Sequence, residues 1–244
     1  MREPFKVLSL FAGIGGFDLG LERTGGFKTV AFCEIDKHAR SILKKHWPDV
    51  PCYDDVRSLT KRRLAADGIS VDVICGGFPC QDLSYAGRGA GIRGERSGLW
   101  SEYARLVGEL RPRYVVVENV PALLNRGLGV VLGDLAALGY DAEWQCIPSG
   151  CIGAPHLRDR VWIIAYPEEV QGLYESDAWK SAQRLLDDQT YWQARPWTEA
   201  DAAICRVDDG VPDRVVRTER LGNAVVPQIP ELIGRAILAS QEAA

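Results

Sequence analysis

Five short apolar runs punctuate the first two thirds of the chain: Lys6–Phe11, Thr29–Cys33, Val71–Cys75, Tyr114–Val117 and Val161–Ala165. Each is rich in Val, Ile or aromatic residues and reads as a strand buried on both faces. Between them the period lengthens. Leu99, Tyr103, Leu106, Val107 and Leu110 form a helical stripe, and Val131, Leu132, Leu135 and Leu138 form a looser one. Asp36 has the side chain and position of an N-cap for a helix running to about Trp47. Strands alternating with helices in this way predict an α/β fold, a mostly parallel sheet with helices on both faces.

The alternation stops near residue 166. Residues 167–204 hold Trp179, Trp192 and Trp197 but no sustained period. A helical stripe returns as Ile229, Leu232, Ile233, Ala236 and Ile237, predicting one amphipathic helix that packs back on the first unit. The expected organisation is therefore a main domain over 1–166, a small irregular segment over 167–215 and a returning helix within 216–244.

Composition narrows the class. The chain has 244 residues, 46% hydrophobic and 25% charged, a globular rather than disordered or membrane composition. No run approaches the ~18–20 apolar residues that span a bilayer. The N-terminal apolar run breaks at once into Gly13-Ile14-Gly15-Gly16, so it reads as a first strand and not as a leader. Three of the seven cysteines, at 33, 75 and 146, sit in strand-like runs, which suits reduced thiols in a cytoplasm. The net charge of -4 argues against a surface that is basic throughout. That charge is uneven: residues 167–204 hold eight acidic and three basic side chains, so the rest of the chain is +1.

The first strand runs into Phe11-Ala-Gly-Ile-Gly-Gly-Phe-Asp18, a glycine loop that opens a helix. Glycines there let the backbone turn tightly and approach a ligand. Glu34 follows Gly13 by 21 residues, at the end of the second strand, where a carboxylate accepts hydrogen bonds from ribose hydroxyls. The spacing implies a nucleoside-containing cofactor without saying which. Asp18 stands where a dinucleotide fingerprint has its third glycine, which weakens a nicotinamide or flavin reading.

A second loop, Gly76-Gly-Phe-Pro-Cys-Gln81, follows the third apolar run. It puts Cys80 at the carboxyl end of a strand, where open α/β sheets bind their ligands. Arg88, Arg93 and Arg96 lie in a stretch with five glycines between 87 and 98, a composition suited to a cationic lid over an anionic substrate. The matched spacings Cys75-x4-Cys80 and Cys146-x4-Cys151 raise a zinc site, but neither is a C-x2-C knuckle, and no metal is expected. Glu118 ends the all-Val run Tyr114–Val117, where burial would keep its carboxyl protonated and able to donate. Arg158 and Arg160, at i and i+2 before the last strand, point the same way and suit a phosphate or carboxylate.

Taken in order, FAGIGGFDLGLE, Glu34-Ile35, Asp55-Val56, GGFPCQDLS, ENV, APHLRDR and LGNAVVP resemble the DNA cytosine-5 methyltransferase family, in particular its compact bacterial and phage members, some of which serve restriction–modification systems. The resemblance spans about two thirds of the chain. It implies an S-adenosylmethionine-dependent Rossmann-like fold, with S-adenosylhomocysteine as product and double-stranded DNA as substrate. Phe11, Gly13 and Gly15 would wrap the cofactor, Glu34 hold its ribose, Ile35 and Val56 its adenine faces and Asp55 the adenine amino group. Leu99 and Asn223 would also touch it. Cys80 would be the nucleophile, Glu118 would face cytosine N3 and its amine, and Arg158 and Arg160 would complete the site. Gln81, Ser84, Arg88, Arg93 and Arg96 would contact DNA. Residues 167–215 would serve as a reduced target-recognition segment.

The sequence also departs from the pattern. The recognition segment is short, Arg206–Arg214 stands where an arginine- and leucine-rich motif is usual, and His156 stands where many members carry Gln. Two alternatives stay open: a cytosine-5 methyltransferase acting on tRNA, and a catalytically silent DNA-binding relic. No membrane association or obligate protein partner is expected, and the cytoplasm of a bacterial or phage-infected cell is the expected setting.

Overall fold

The first strand, β1 (Phe5–Leu10), lies inside the sheet and pairs in parallel with β2 (Phe27–Cys33) and β4 (Val73–Gly76). A computed structural model describes residues 3–79, 98–152, 158–167, 180 and 225–241, and the structural statements below concern these. β3 (Cys52–Tyr53) borders β2, and β5 (Tyr114–Asn119) borders β4, both in parallel. β7 (Asp159–Pro167) and β6 (Tyr140–Pro148) complete the sheet in antiparallel fashion. The order is β3-β2-β1-β4-β5-β7-β6. All six residues of β5 are buried, as the unbroken apolar run requires of a strand covered on both faces.

Helices cover the two faces. α1 (Gly16–Glu22) leaves the glycine loop, and α2 (Lys37–His46) is capped by Asp36, whose Oδ1 accepts from the amides of His38 and Ala39. α3 (Lys61–Ala66) is capped by Thr60. α4 (Leu99–Leu110), α5 (Leu123–Arg126) and α6 (Leu128–Ala137) follow, and α7 (Gln228–Ser240) is the returning helix. On one face Leu8, Leu10, Ile74, Val115 and Val117 pack with Leu64, Tyr103, Leu106 and Val131. On the other, Val7, Val73, Cys75, Val116 and Trp162 pack with Phe17, Leu21, Ile229, Leu232, Ile233, Ala236 and Ile237. The expected stripe of the last helix is thus its buried stripe.

α1 and the segment entering α7 approach closely. A Cβ on Gly20 would come within 2.1 Å of the Pro227 carbonyl, and one on Gly16 within 2.3 Å of that of Val225. A helix-interior glycine costs ~1 kcal/mol relative to alanine; here it admits a backbone that no side chain would tolerate. Gln241 then fastens the end of the helix to the sheet base, accepting from Arg113 Nη2 (2.9 Å) and donating to the Tyr114 hydroxyl (2.7 Å).

Three features differ from the expected pattern, the first being the short strand β3, which none of the five apolar runs contains. β6 is an additional strand over Tyr140–Pro148, with Asp141, Trp144 and Cys146 exposed on an edge of the sheet. β1 and β2 slip register between Val7 and Leu8, so the partners step from Thr29 to Ala31. That slip lets Phe27 and Thr29 face one core while Ala31 and Cys33 face the other.

Strand order reverses between β1 and β4. Open α/β sheets bind ligands at such a switch point, beyond the carboxyl ends of the strands. Leu10 and Gly76 are paired there, so the glycine loop and the Pro-Cys loop leave the sheet side by side.

Candidate active site

The glycine loop is held open by its backbone conformation. Gly13 (φ 55°) and Gly15 (φ 87°) are left-handed, and so is Phe11 (φ 52°), a region that non-glycine residues rarely enter outside functional sites. Glu34, nearly buried, closes the loop from below. Its Oε2 accepts from the amide of Gly13 and its Oε1 from that of Asp36, each at 2.8 Å. Arg40 Nη1 donates to the carbonyls of Glu34 (3.0 Å) and Ile35 (3.1 Å). The next side chain, Ile35, is 69% exposed. An isoleucine left in solvent beside a fixed carboxylate offers an apolar surface to a ligand's flat face.

Beneath this loop lies a group whose role the sequence does not reveal. Asp18 is wholly buried and accepts from Ser9 Oγ (2.9 Å) on β1 and Thr29 Oγ1 (3.0 Å) on β2. Burial pushes its carboxyl up to about 7, against the opposing pull of those hydroxyls. Asp18 therefore ties α1 to two strands directly under the glycines.

The 54–59 loop follows β3. Asp55 is engaged by Arg57, whose Nε lies 2.9 Å from Oδ1 and whose Nη2 lies 2.8 Å from Oδ2. Hydrogen bonds from Arg57 hold the Asp55 carboxyl below the usual range. Val56 is buried and packs in the first core, and its carbonyl accepts from Arg105 Nη2 of α4 (3.0 Å). Leu99, the first residue of α4, packs partly buried against the same core.

The third group gathers at the carboxyl end of β5. Glu118 is 8% exposed, and its Oε1 lies 2.8 Å from Arg160 Nε. This is a close ion-pair contact between neighbouring strands. Desolvation raises the Glu118 carboxyl above its ordinary range even though Arg160 and Arg158 both pull it down. Arg158 in turn is lowered, first by its own burial and then by Arg160. Arg160 thus contacts the carboxyl directly, and Arg158 acts on it electrostatically.

Glu118 also sits against the Pro-Cys loop. A Cβ on Gly77 would stand 2.6 Å from Glu118 Oε2, so only glycine leaves this carboxyl its place. Asn119 Nδ2 donates to the Phe78 carbonyl (3.2 Å), and Asn119 Oδ1 accepts from the amide of Val120 (2.9 Å). The loop is thereby tied at Phe78, two residues before Cys80. Cys80 itself, with Gln81, Ser84, Arg88, Arg93, Arg96 and Asn223, lies outside the described residues, as does nearly all of 167–215.

Three of the four thiols of the zinc reading lie among the described residues. Cys75 is buried in the sheet, whereas Cys146 and Cys151 are exposed. Among the described residues no three His, Cys, Asp or Glu side chains gather as a metal site. Sequence reasoning also missed Arg105, whose signal is the spacing Glu102-x2-Arg105-x3-Glu109 along one helix.

A glycine loop and a fixed carboxylate at the switch point, beside a buried carboxyl facing the loop that leads to Cys80, are set in a Rossmann-like α/β fold. More narrowly, the chain belongs to the C-5 cytosine-specific DNA methylase family, whose profile matches residues 5–196. It is 40% identical over 168 residues to the type II methyltransferase M2.BsuMI of Bacillus subtilis (strain 168), covering 66% of this chain and 41% of that protein. It is 32% identical over 223 residues to the orphan methyltransferase M.SPRI of Bacillus phage SPR, covering 84% of this chain and 49% of that one. The chain thus spans less than half the length of these relatives. A solved structure of a mutant DNMT2 from Spodoptera frugiperda shares the fold, with a TM-score of 0.67 at 14% identity over 96% of this chain and 99% of that one. No helix among the described residues is long and apolar enough to cross a membrane.

Proposed function

We propose that the protein transfers a methyl group from S-adenosylmethionine to carbon 5 of a flipped-out cytosine in double-stranded DNA. The observation that carries this reading is Glu118. It is a buried carboxyl of raised pKa, packed against Gly77 in the loop that leads to Cys80 and flanked by Arg160. A carboxyl shifted by burial toward its protonated form, one loop away from a thiol, suits cytosine C5 chemistry.

The described residues fit the cofactor. The left-handed glycines leave open space where a Cβ on Gly13 would stand, Glu34 lies hydrogen-bonded behind them, and Ile35 presents an uncovered apolar face. Phe11, Gly13 and Gly15 would wrap it, Glu34 would accept from the ribose, and Ile35, Asp55 and Val56 would receive the adenine. Leu99 and Asn223 would complete the pocket. Bound there, S-adenosylmethionine supplies an electrophilic methyl group.

The remaining chemistry falls to this chain's side chains. Carbon 5 of cytosine is too weak a nucleophile to be methylated unaided. The Cys80 thiolate adds to carbon 6, and Glu118 donates its proton to N3, so that the electron pair collects at carbon 5 as in an enamine. Once carbon 5 has taken the methyl group, its proton passes to water, the carbon 5–carbon 6 double bond re-forms as the thiolate leaves, and N3 returns its proton to the Glu118 carboxylate. Arg158 and Arg160 hold Glu118 and the base in register. The base must leave the duplex to reach this site, at a cost of a few kcal/mol. Gln81, Ser84, Arg88, Arg93 and Arg96 would supply contacts that offset it, since the 167–204 segment is too acidic to bind phosphate well. The cytoplasm of a bacterium or phage-infected cell is the corresponding setting.

Transfer of a tritiated methyl group from S-adenosylmethionine, with duplex DNA and tRNA offered in parallel, tests this function. Labelled DNA, lost in Cys80→Ala, is expected. Labelled tRNA with unlabelled DNA would overturn the DNA reading.

A further inference from the structure

Arg105, on α4, reaches out of its own helix. Its Nη2 donates to the carbonyls of Val56 (3.0 Å) and Leu59 (2.9 Å), 49 and 46 residues earlier in the chain. Its Nε donates to Glu102 Oε2 (2.8 Å) and its Nη1 to Glu109 Oε1 (2.7 Å), so two carboxylates fix the plane of the guanidinium. Glu109 then uses its other oxygen to accept from the amide of Lys61 (2.9 Å). The segment from Val56 to Lys61 is thus gripped at three backbone groups by one arginine and the glutamate that orients it.

The grip has a firm base. Tyr103, two residues before Arg105, lies fully buried with its hydroxyl at the carbonyls of Val116 (3.3 Å) and Ile74 (3.4 Å), on β5 and β4. Trp100 Nε1 donates to Asp134 Oδ2 of α6 (2.8 Å). Rigidity therefore passes from the sheet through α4 to a loop whose own backbone bonds are the turns Ser58 to Asp55 and Leu59 to Val56 among the described residues. Two part-buried ion pairs within one helix would not by themselves order a distant loop. The distinctive part of the arrangement is the pair of loop carbonyls.

We propose that Arg105 is a positioning residue that presets the 55–59 loop for the adenine end of the cofactor. The proposal rests on the reading in which Asp55 and Val56 receive adenine. A loop that must be ordered on binding subtracts that ordering from affinity, and a loop ordered beforehand does not. Arginine suits the task because its planar fork serves two carboxylates and two carbonyls at once. A lysine ammonium has three donors on a single point and lacks that geometry.

The test is calorimetric titration of the purified full chain with S-adenosylhomocysteine, for wild type, Arg105→Met, Arg105→Lys and Glu109→Gln. Steady-state KM values for S-adenosylmethionine and for DNA are measured alongside. Arg105→Met is expected to weaken binding by about tenfold or more. The KM for S-adenosylmethionine should rise in step, while that for DNA changes less than about twofold, a split that general loosening of the fold would not give. Arg105→Lys should recover less than half of the loss, and Glu109→Gln should show a smaller rise in the same direction. Wild-type affinity in folded Arg105→Met overturns the proposal. If that variant does not fold, wild-type affinity in both Arg105→Lys and Glu109→Gln overturns it instead. A wild-type chain that binds no S-adenosylhomocysteine overturns the cofactor reading itself, and the proposal with it.

Discussion

Arg160 meets Glu118 because β7 runs antiparallel to β5: the first residues of one strand lie beside the last residues of the other, and Nε and Oε1 come within 2.8 Å. In an all-parallel sheet a residue at a strand's start would lie at the opposite rim. The reversal thus brings a guanidinium to the rim where the glycine and Pro-Cys loops emerge. It leaves Glu118 poised, raised by burial and restrained by two arginines.

That balance predicts a pH profile. If protonated Glu118 is the active form, kcat falls as pH rises through its folded pKa. Arg160→Met removes a charge that lowers this pKa, so the alkaline limb of kcat should move to higher pH, whatever the overall loss. A limb that stays put or moves down would refute the assignment. Glu118→Gln, which still donates a hydrogen bond, should retain more activity than Glu118→Ala, whose kcat should fall by about 10²–10⁴.

Gly77→Ala tests the packing under that carboxyl. The new methyl would press to within 2.6 Å of Glu118 Oε2, so the carboxyl or the Pro-Cys loop must shift. A shift of about 1 Å can lower kcat by about 10²-fold. Binding of S-adenosylhomocysteine should stay near wild type, because the glycine loop is on a different strand. Unchanged kcat in a well-folded variant would show that the contact is slack.

Asp18 predicts a dependence of stability on pH. Its carboxyl moves from 3.8 to about 7 on folding, so the native chain holds the proton longer than the unfolded one. The stabilisation is complete below about pH 4 and is lost as pH rises to about 7, a span worth about 4 kcal/mol. The groups facing it are Ser9, Thr29, Cys75 and Glu22. Asp18→Asn keeps an acceptor without the charge. In urea unfolding it should therefore be more stable relative to wild type at pH 7.5 than at pH 5. Equal differences at both values would contradict the burial argument.

The sequence reveals the frame and the loops because both are local. The glycine loop and Glu34 stand 21 residues apart along one βαβ unit, and the structure joins them by the Gly13 amide. Glu118 is legible as the polar end of an all-Val strand. Other features depend on distant partners and have no local signal. Asp18 reads as a broken fingerprint until Ser9 and Thr29 are seen to enclose it. Arg105 reads as a solvated helical charge, since the carbonyls it holds lie 46 and 49 residues away. β6 escapes notice because an edge strand exposes Asp141, Trp144 and Cys146 and so has neither an apolar run nor a clean alternation.

The most direct test of the account is covalent capture. The full chain is incubated with S-adenosylmethionine and duplex DNA in which target cytosines are replaced by 5-fluorocytosine, then resolved under denaturing conditions. Fluorine at carbon 5 cannot leave as a proton does, so the Cys80 thioether should persist as a protein–DNA adduct. The account predicts that adduct with wild type and none with Cys80→Ala. An enzyme that methylates cytosine in DNA yet yields no adduct would contradict it.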